Sequence, residues 1–439
     1  APLFPDMAVP TIAMFIDLLI KLILKYFTIK VFFFKFNIWY IFWYIVIITN
    51  QTYEFKELYF MKVGIVYKNY KKIHIIYQGI FDNPPKGVEF IVPKAKVFLK
   101  KFYPIYKRFK GYKLFNKILW FTKDFLFKNE VKGKADLLHY VQFIPKKAPS
   151  DDTPYVIDFE HSISLTDFVN NEKFFNERVK PFLMSKNCKG IIPMTNAAEL
   201  TLKKDFGDDY SKIKDKIKVI YPAIKSYKNL KNKQNDKMTF LFVGNHVYRK
   251  GLHELLEAFI KIPKGKASLV VISDAPKALS EKFSQENIQY LLPEFSHQEI
   301  LDNFFSKADV FVMPTHRDTF GMVFLDAMSC ETPVIATRQF AIPEIVEDCK
   351  TGFLLEIEKH YLRENPVYSY EMEKEMMQPE EKLIDSLYDK MMYCINNPKE
   401  VKKMGESAKD LFKNPDGKFS IERRNRLLKG VYEKALEIS

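Results

Sequence analysis

Two cations and two carboxylates mark the second half of this 439-residue sequence as a place where chemistry could happen. Arg249 and Lys250 lie in GNHVYRKG, residues 244–251, directly after the apolar run TFLFVG. Gly244 permits a close backbone turn, and Asn245 follows it into the loop. Arginine offers a planar fork and lysine a point charge, and both suit a diphosphate. Cations at a helix start oppose the helix dipole, and an anion bound there would offset that cost. Asp318 and Asp326 lie in THRDTFGMVFLDAMSCETPVIAT, residues 315–337. Here a loop through Thr319 leads to Gly321, which opens a helix. Backbone N–H groups near Phe320, Gly321 and Met322 would then face a ligand, a ready site for phosphate. The eight-residue offset lets the two carboxylates reach different hydroxyls of one bound nucleotide sugar. Taken alone, Asp326 reads as a surface helix residue, although Phe324, Leu325, Ala327 and Met328 around it argue against full exposure.

Other templates fail. The sequence has no GxGxxG dinucleotide fingerprint, no GxxxxGK[ST] phosphate loop, no HExxH and no GxSxG elbow. No Asp-x-Asp occurs, so a divalent-metal clamp on a diphosphate lacks its usual signal. The four cysteines, Cys188, Cys330, Cys349 and Cys394, form no CxxC pair and no metal spacing, and suggest a reducing compartment. No metal site and no cofactor beyond a donor substrate is expected.

Loops of this kind need strands to hold them. MKVGIVY (61–67), YVIDF (155–159), CKGIIPMT (188–195) and KVIYP (218–222) read as strands, with helical patterns at 176–184 and 197–204 between them. In the second half TFLFVG (239–244), SLVVIS (268–273), IQYLL (288–292), VFVMP (310–314) and PVIAT (333–337) are further buried strands. The helix after Gly251 places Leu252, Leu255, Leu256, Phe259 and Ile260 on one face. Alternating strands and helices predict an α/β protein with two parallel, doubly wound, Rossmann-like domains facing across a cleft. The expected boundaries are 1–60 as a hydrophobic extension, 61–222 as the N-terminal domain and 223–237 as a polar linker. Residues 238–385 are the C-terminal Rossmann-like domain, and 386–439 are C-terminal helices, the last packing back on the N-terminal domain. Ligands of open α/β sheets bind at the carboxyl ends of strands, where both candidate loops fall.

Composition bounds the partners. The chain is 47% hydrophobic and 28% charged, with a formal net charge of +14, so it is globular and basic. Residues 61–150 carry 20 Lys/Arg against five Asp/Glu, whereas 151–439 are nearly balanced, with 43 against 45. Most of the excess runs from Lys94 to Lys134, where aromatics interleave with lysines. That pattern suits an anionic membrane surface or a solvated helix face. No nucleic-acid motif accompanies it, and specific nucleic-acid binding is not expected. Residues 8–49 are strongly apolar but interrupted by lysines. They read as an N-terminal anchor with its basic side in the cytoplasm, as non-native sequence preceding Met61, or as a soluble core helix.

The stretch 239–355 resembles the donor-binding domain of retaining GT-B glycosyltransferases of the group-1, or family 4, type. TFLFVGNHVYRKGLHELLEAF, ADVFVMPTHRDTFGMVFLDAMSCETPVIAT and IPEIVEDCKTGFLLE carry the resemblance, and CKGIIPMTNAAE and KVIYPAIK extend it. It implies transfer of a sugar from a nucleoside-diphosphate sugar to an acceptor hydroxyl with retention. The missing Asp-x-Asp adds the expectation of a metal-independent reaction, and the basic 94–134 segment that of a glycan or lipid-linked acceptor at the cytoplasmic face of a membrane. By that resemblance Arg249 and Lys250 bind the donor diphosphate, Asp318 addresses the transferred sugar, and Asp326 addresses the ribose. His161, after YVIDF, resembles the histidine near the sugar. Both acidic positions are Asp where the family has Glu, and Glu331 stands where it has Gly. The glycine-rich loop after the first strand is not evident in YKNYKKIHIIYQGIFDNPP. A scaffold that binds membrane without catalysis is the alternative reading, and a glycan phosphorylase is a third.

Overall fold

The computed structural model describes residues 60–67, 79–91, 135–145, 152–166, 172–228, 237–364 and 367–437. The hydrophobic extension 1–59, the basic 94–134 stretch and most of the loop after the first strand lie outside the described residues. So do residues 229–236 of the linker.

Two parallel sheets carry the architecture, both within the unit Phe60–Ser439. The first holds β1 (Met61–Tyr67), β2 (Val88–Ile91), β3 (Leu137–Val141), β4 (Tyr155–Phe159) and β5 (Cys188–Pro193), ordered β2-β1-β3-β4-β5. The second holds β6 (Met238–Val243), β7 (Ala267–Ile272), β8 (Ile288–Leu291), β9 (Val310–Met313), β10 (Val334–Thr337) and β11 (Gly352–Leu355), ordered β11-β10-β9-β6-β7-β8. Every pairing within them is parallel. β3, β4, β9, β10 and β11 are buried throughout, as strands covered on both faces must be. In the second sheet the order reverses between β6 and β9, and the two candidate loops leave from these two adjacent strands.

KVIYP departs from the expectation of a full strand. Lys218 N–H donates to the Ile191 carbonyl at 2.9 Å and Ile220 N–H to the Pro193 carbonyl at 3.1 Å. The segment runs beside β5, bridged there only at Ile217, and then leads toward the second sheet.

Four helices matter for the site. α1 (Asn196–Phe206) follows β5, α2 (Leu252–Phe259) follows β6, α3 (Met322–Ser329) follows β9, and α4 (Ile342–Ile345) follows β10. α2 sends Leu252, Leu255, Leu256 and Phe259 into the core of the second sheet, as its spacing predicts, whereas Ile260, at its C-cap, is exposed. The chain ends in α5 (Glu381–Asn396), α6 (Pro398–Lys413) and α7 (Ile421–Glu437). α7 returns to the first sheet, where Leu428, Tyr432 and Ala435 share a core with Met61, Val63 and Ile65. Its Tyr432 hydroxyl meets His139 Nδ1 at 2.7 Å, and His139 Nε2 lies 3.2 Å from Asp158. This explains a histidine inside a buried strand: both ring nitrogens face polar groups.

The two halves meet through polar caps. The Glu344 carboxylate, on α4, accepts from Asn196 N–H at 2.8 Å and Ala197 N–H at 2.7 Å, at the start of α1. An anion on a helix N-terminus satisfies orphan donors and complements the dipole. Among the described residues no helix is long and apolar enough to cross a membrane.

Candidate active site

The loops after β6 and β9 are clamped together at the switch point. Gly251 ends the first loop with φ +73°, and a Cβ there would lie 2.1 Å from the Pro314 carbonyl oxygen of the second. Only glycine permits this approach. Across the seam, His316 N–H donates to the Arg249 carbonyl at 2.9 Å, and Thr315 Oγ1 donates to the same oxygen at 3.1 Å. Behind them the fully buried Glu254 of α2 meets His316 Nε2 at 2.7 Å. Gln339 Nε2 donates to the His316 carbonyl at 2.6 Å, and Thr337 Oγ1 to the Thr315 carbonyl at 2.5 Å. Arg249 and Lys250 thus rest on a loop with little freedom.

Lys250 Nζ donates to Asp318 Oδ2, joining the two motifs. Both side chains are 15% exposed, so the pair faces the opening without being solvated like a surface pair. An ammonium has three donors, which leaves Lys250 able to bind an anion while it holds Asp318. Arg249 lies 6.0 Å from the Tyr368 ring centroid, and Arg317 lies 5.4 Å from the same ring. Gly321 sits at φ +83° ahead of α3, where a Cβ would strike the Phe324 ring at 2.5 Å. Phe320 is buried in the core of the second sheet, so only its backbone can serve a ligand. Met322 packs against the cores of both sheets. Gly244 is not obliged by geometry: a Cβ there meets nothing nearer than 3.7 Å. The close approach expected of Gly244 is made by Gly251 instead. Asn245 is exposed beside it.

Two further sequence candidates make specific partners. Thr319 Oγ1 donates to Glu160 Oε2 at 2.6 Å, linking the loop after β9 to the loop after β4. Asp326 is buried and lies 3.0 Å from His297 Nε2, a pairing that raises the imidazole pKa. The carboxylates at 318 and 326 are therefore held separately, one by the loop after β6 and the other by the segment after β8.

The first sheet contributes the remaining sequence candidate, His161. It follows β4, is 3% exposed, and stacks on Phe340 with ring centroids 5.3 Å apart. Ile163 N–H donates to Nδ1 at 3.1 Å, so the neutral ring carries its proton on Nε2. Burial pushes its pKa down to about 4, opposed by the Leu362 backbone carbonyl and assisted by Arg317 and Lys204. Near neutral pH His161 is therefore a hydrogen-bond donor and not a proton shuttle. Its sign in stability follows. The buried neutral ring contributes stability above its ordinary pKa of 6.5, and that contribution is lost as pH falls toward about 4. His161→Asn is expected to flatten this limb of a melting-temperature curve against pH. An unchanged slope would contradict the assignment.

Among the described residues no group of three or more His, Cys, Asp or Glu side chains could hold a metal ion. Residues 224–361 match the family of group 1 glycosyl transferases. This stretch is a group-1 glycosyltransferase domain. The capsular polysaccharide biosynthesis glycosyltransferase CapM of Staphylococcus aureus is 34% identical over 129 residues, covering 28% of this chain and 33% of CapM. An uncharacterised glycosyltransferase of Methanocaldococcus jannaschii is 30% identical over 223 residues, 50% of this chain and 54% of that protein. The chain spans about half the length, or less, of these curated relatives. Anabaena HepE, crystallised with UDP and glucose, superposes with a TM-score of 0.56 at 14% identity, over 85% of this chain and 99% of HepE. That likeness shows the fold, and the chain has the GT-B architecture.

Within the group-1 domain the sequence motifs named Arg249, Lys250, Asp318 and Gly321, which the structure gathers at one strand-end seam. They did not name Glu254, His316, Arg317 or Tyr368. The first two are hidden because a buried Glu–His pair leaves no local spacing signal. Tyr368 arrives from beyond β11, and only the fold brings it over the arginines.

Proposed function

We propose that this protein transfers a glycosyl group from a nucleoside-diphosphate sugar to a hydroxyl of a glycan or lipid-linked acceptor, with retention and without a metal ion. The observation that carries this reading is the clamped pair of loops at the β6–β9 switch point, which presents Arg249, Lys250 and Asp318 together. Breaking the anomeric C–O bond builds negative charge on the departing diphosphate. Arg249, Lys250 and the backbone ahead of α3 stabilise that charge from fixed positions, the preorganised arrangement that lowers such barriers most. Asp318, one methylene shorter than Glu, addresses hydroxyls of the transferred sugar, and Lys250 sets its position. Asp326 addresses the ribose and exchanges His297 for it. His161 donates from Nε2 to the sugar, which requires its stack on Phe340 to shift. The acceptor hydroxyl adds to the oxocarbenium-like centre on the face the diphosphate leaves and gives its proton to the departing phosphate oxygen. Closure of the cleft limits hydrolysis by water. HepE's complex with UDP and glucose makes UDP-glucose the first donor to try. The basic 94–134 sequence is the ground for placing the acceptor at an anionic membrane surface.

The test is release of nucleoside diphosphate from UDP-, GDP- and ADP-sugars in EDTA, with and without anionic vesicles, and product anomers read by NMR. Release in EDTA with a retained anomer is expected. Absence of release from every donor overturns the reading. Inversion or an absolute metal requirement removes the corresponding clause, and indifference to vesicles removes the membrane clause.

A further inference from the structure

Arg317 sits between two fixed neighbours. The backbone of His316 is tied to the Arg249 carbonyl, and the Asp318 side chain is tied to Lys250. Its guanidinium and that of Arg249 share one phenol ring, at 5.4 and 6.0 Å from the Tyr368 centroid. Two like charges are thereby drawn together in a half-buried place. Burial and Arg249 both hold the Arg317 pKa below its ordinary range, with Tyr368 and Asp318 opposing. Bringing two guanidinium groups to one ring costs repulsion that an anion bound there would relieve. The face of the phenol ring offsets part of the repulsion.

We propose that Arg317 is a third cation for the donor diphosphate, held beside Arg249 by the shared Tyr368 ring. This rests on the proposed function. Arg317 serves the phosphate nearer the transferred sugar, because it directly precedes Asp318, the residue proposed to address that sugar. Tyr368 is a positioning residue that keeps both forks aimed at the same opening.

The test compares UDP, GDP and ADP with their monophosphates as calorimetric probes on the full chain. For the nucleotide the wild type prefers, Arg317→Gln is expected to reduce the diphosphate-over-monophosphate affinity ratio by about tenfold or more, with monophosphate affinity nearly retained. Arg317→Lys should restore part of the ratio, since it keeps charge and loses the stacked fork. Tyr368→Leu, at a residue 39% exposed, should lower the ratio by a smaller factor and serves if Arg317→Gln fails to fold. An unchanged ratio in a folded Arg317→Gln, or in Tyr368→Leu if it must stand in, overturns the proposal. If the wild type binds none of the six nucleotides, the proposed function itself fails.

Discussion

Lys250→Ala is expected to lower turnover by roughly two to three orders of magnitude, the usual effect of removing one preorganised donor from a developing anion. Lys250 reaches across from the loop after β6 to Asp318, so its loss acts twice. The departing diphosphate loses a cation, and the carboxylate aimed at the sugar loses its anchor. The fold should survive. Both partners are 15% exposed, and the stranded carboxylate costs about 1–3 kcal/mol. Lys250→Ala/Asp318→Asn separates the stability cost from the loss of turnover, because it removes the stranded charge without returning the cation. The double variant should recover stability measured by denaturant unfolding and remain as inactive as the single one. Turnover unchanged in a folded Lys250→Ala would sink the assignment.

The second large effect is structural. Gly251→Ala places a Cβ 2.1 Å from the Pro314 carbonyl oxygen at a φ of +73°. The left-handed conformation alone costs a non-glycine residue about 1–2 kcal/mol, and overpacking adds about 1–3. The loops after β6 and β9 must part to admit the methyl group. That movement breaks the bonds to the Arg249 carbonyl and shifts Lys250 away from Asp318. The variant should unfold at lower denaturant and lose nucleotide affinity together. Gly244→Ala, where the nearest atom is 3.7 Å away, is the matched control and should do neither. Equal behaviour of the two alanine variants would contradict the clamp.

Much of this architecture was legible because parallel strands leave continuous apolar runs. β1, β4 and β6 to β10 follow that rule, and so does the amphipathic stripe of α2. β2, β3 and β11 did not announce themselves. The exposed Glu89 interrupts the short β2, β11 opens on a glycine, and β3 carries His139, whose polarity is answered by Tyr432 from α7 and Asp158 from β4. A partner nearly three hundred residues away cannot be seen locally. Glu331 shows the opposite case. The family resemblance marks that position as one for glycine, and the structure explains why: its φ is +56°. The chain places Glu there and holds it with Lys409 at 3.0 Å. For the candidate site, short-range motifs pointed to Arg249, Lys250 and Asp318, which the structure brings to one seam. The residues that fix those motifs in place come from other strands, so spacing could not reveal them.

The central claim is that the β6–β9 seam of the group-1 domain binds a nucleoside-diphosphate sugar through Arg249 and Lys250. Calorimetric titration of UDP-, GDP- and ADP-glucose into wild type and Lys250→Ala tests it most directly. Saturable one-to-one binding of at least one donor to the wild type is expected, weakened tenfold or more in the variant. Equal affinity in the two proteins, or no binding of any donor to the wild type, would contradict it.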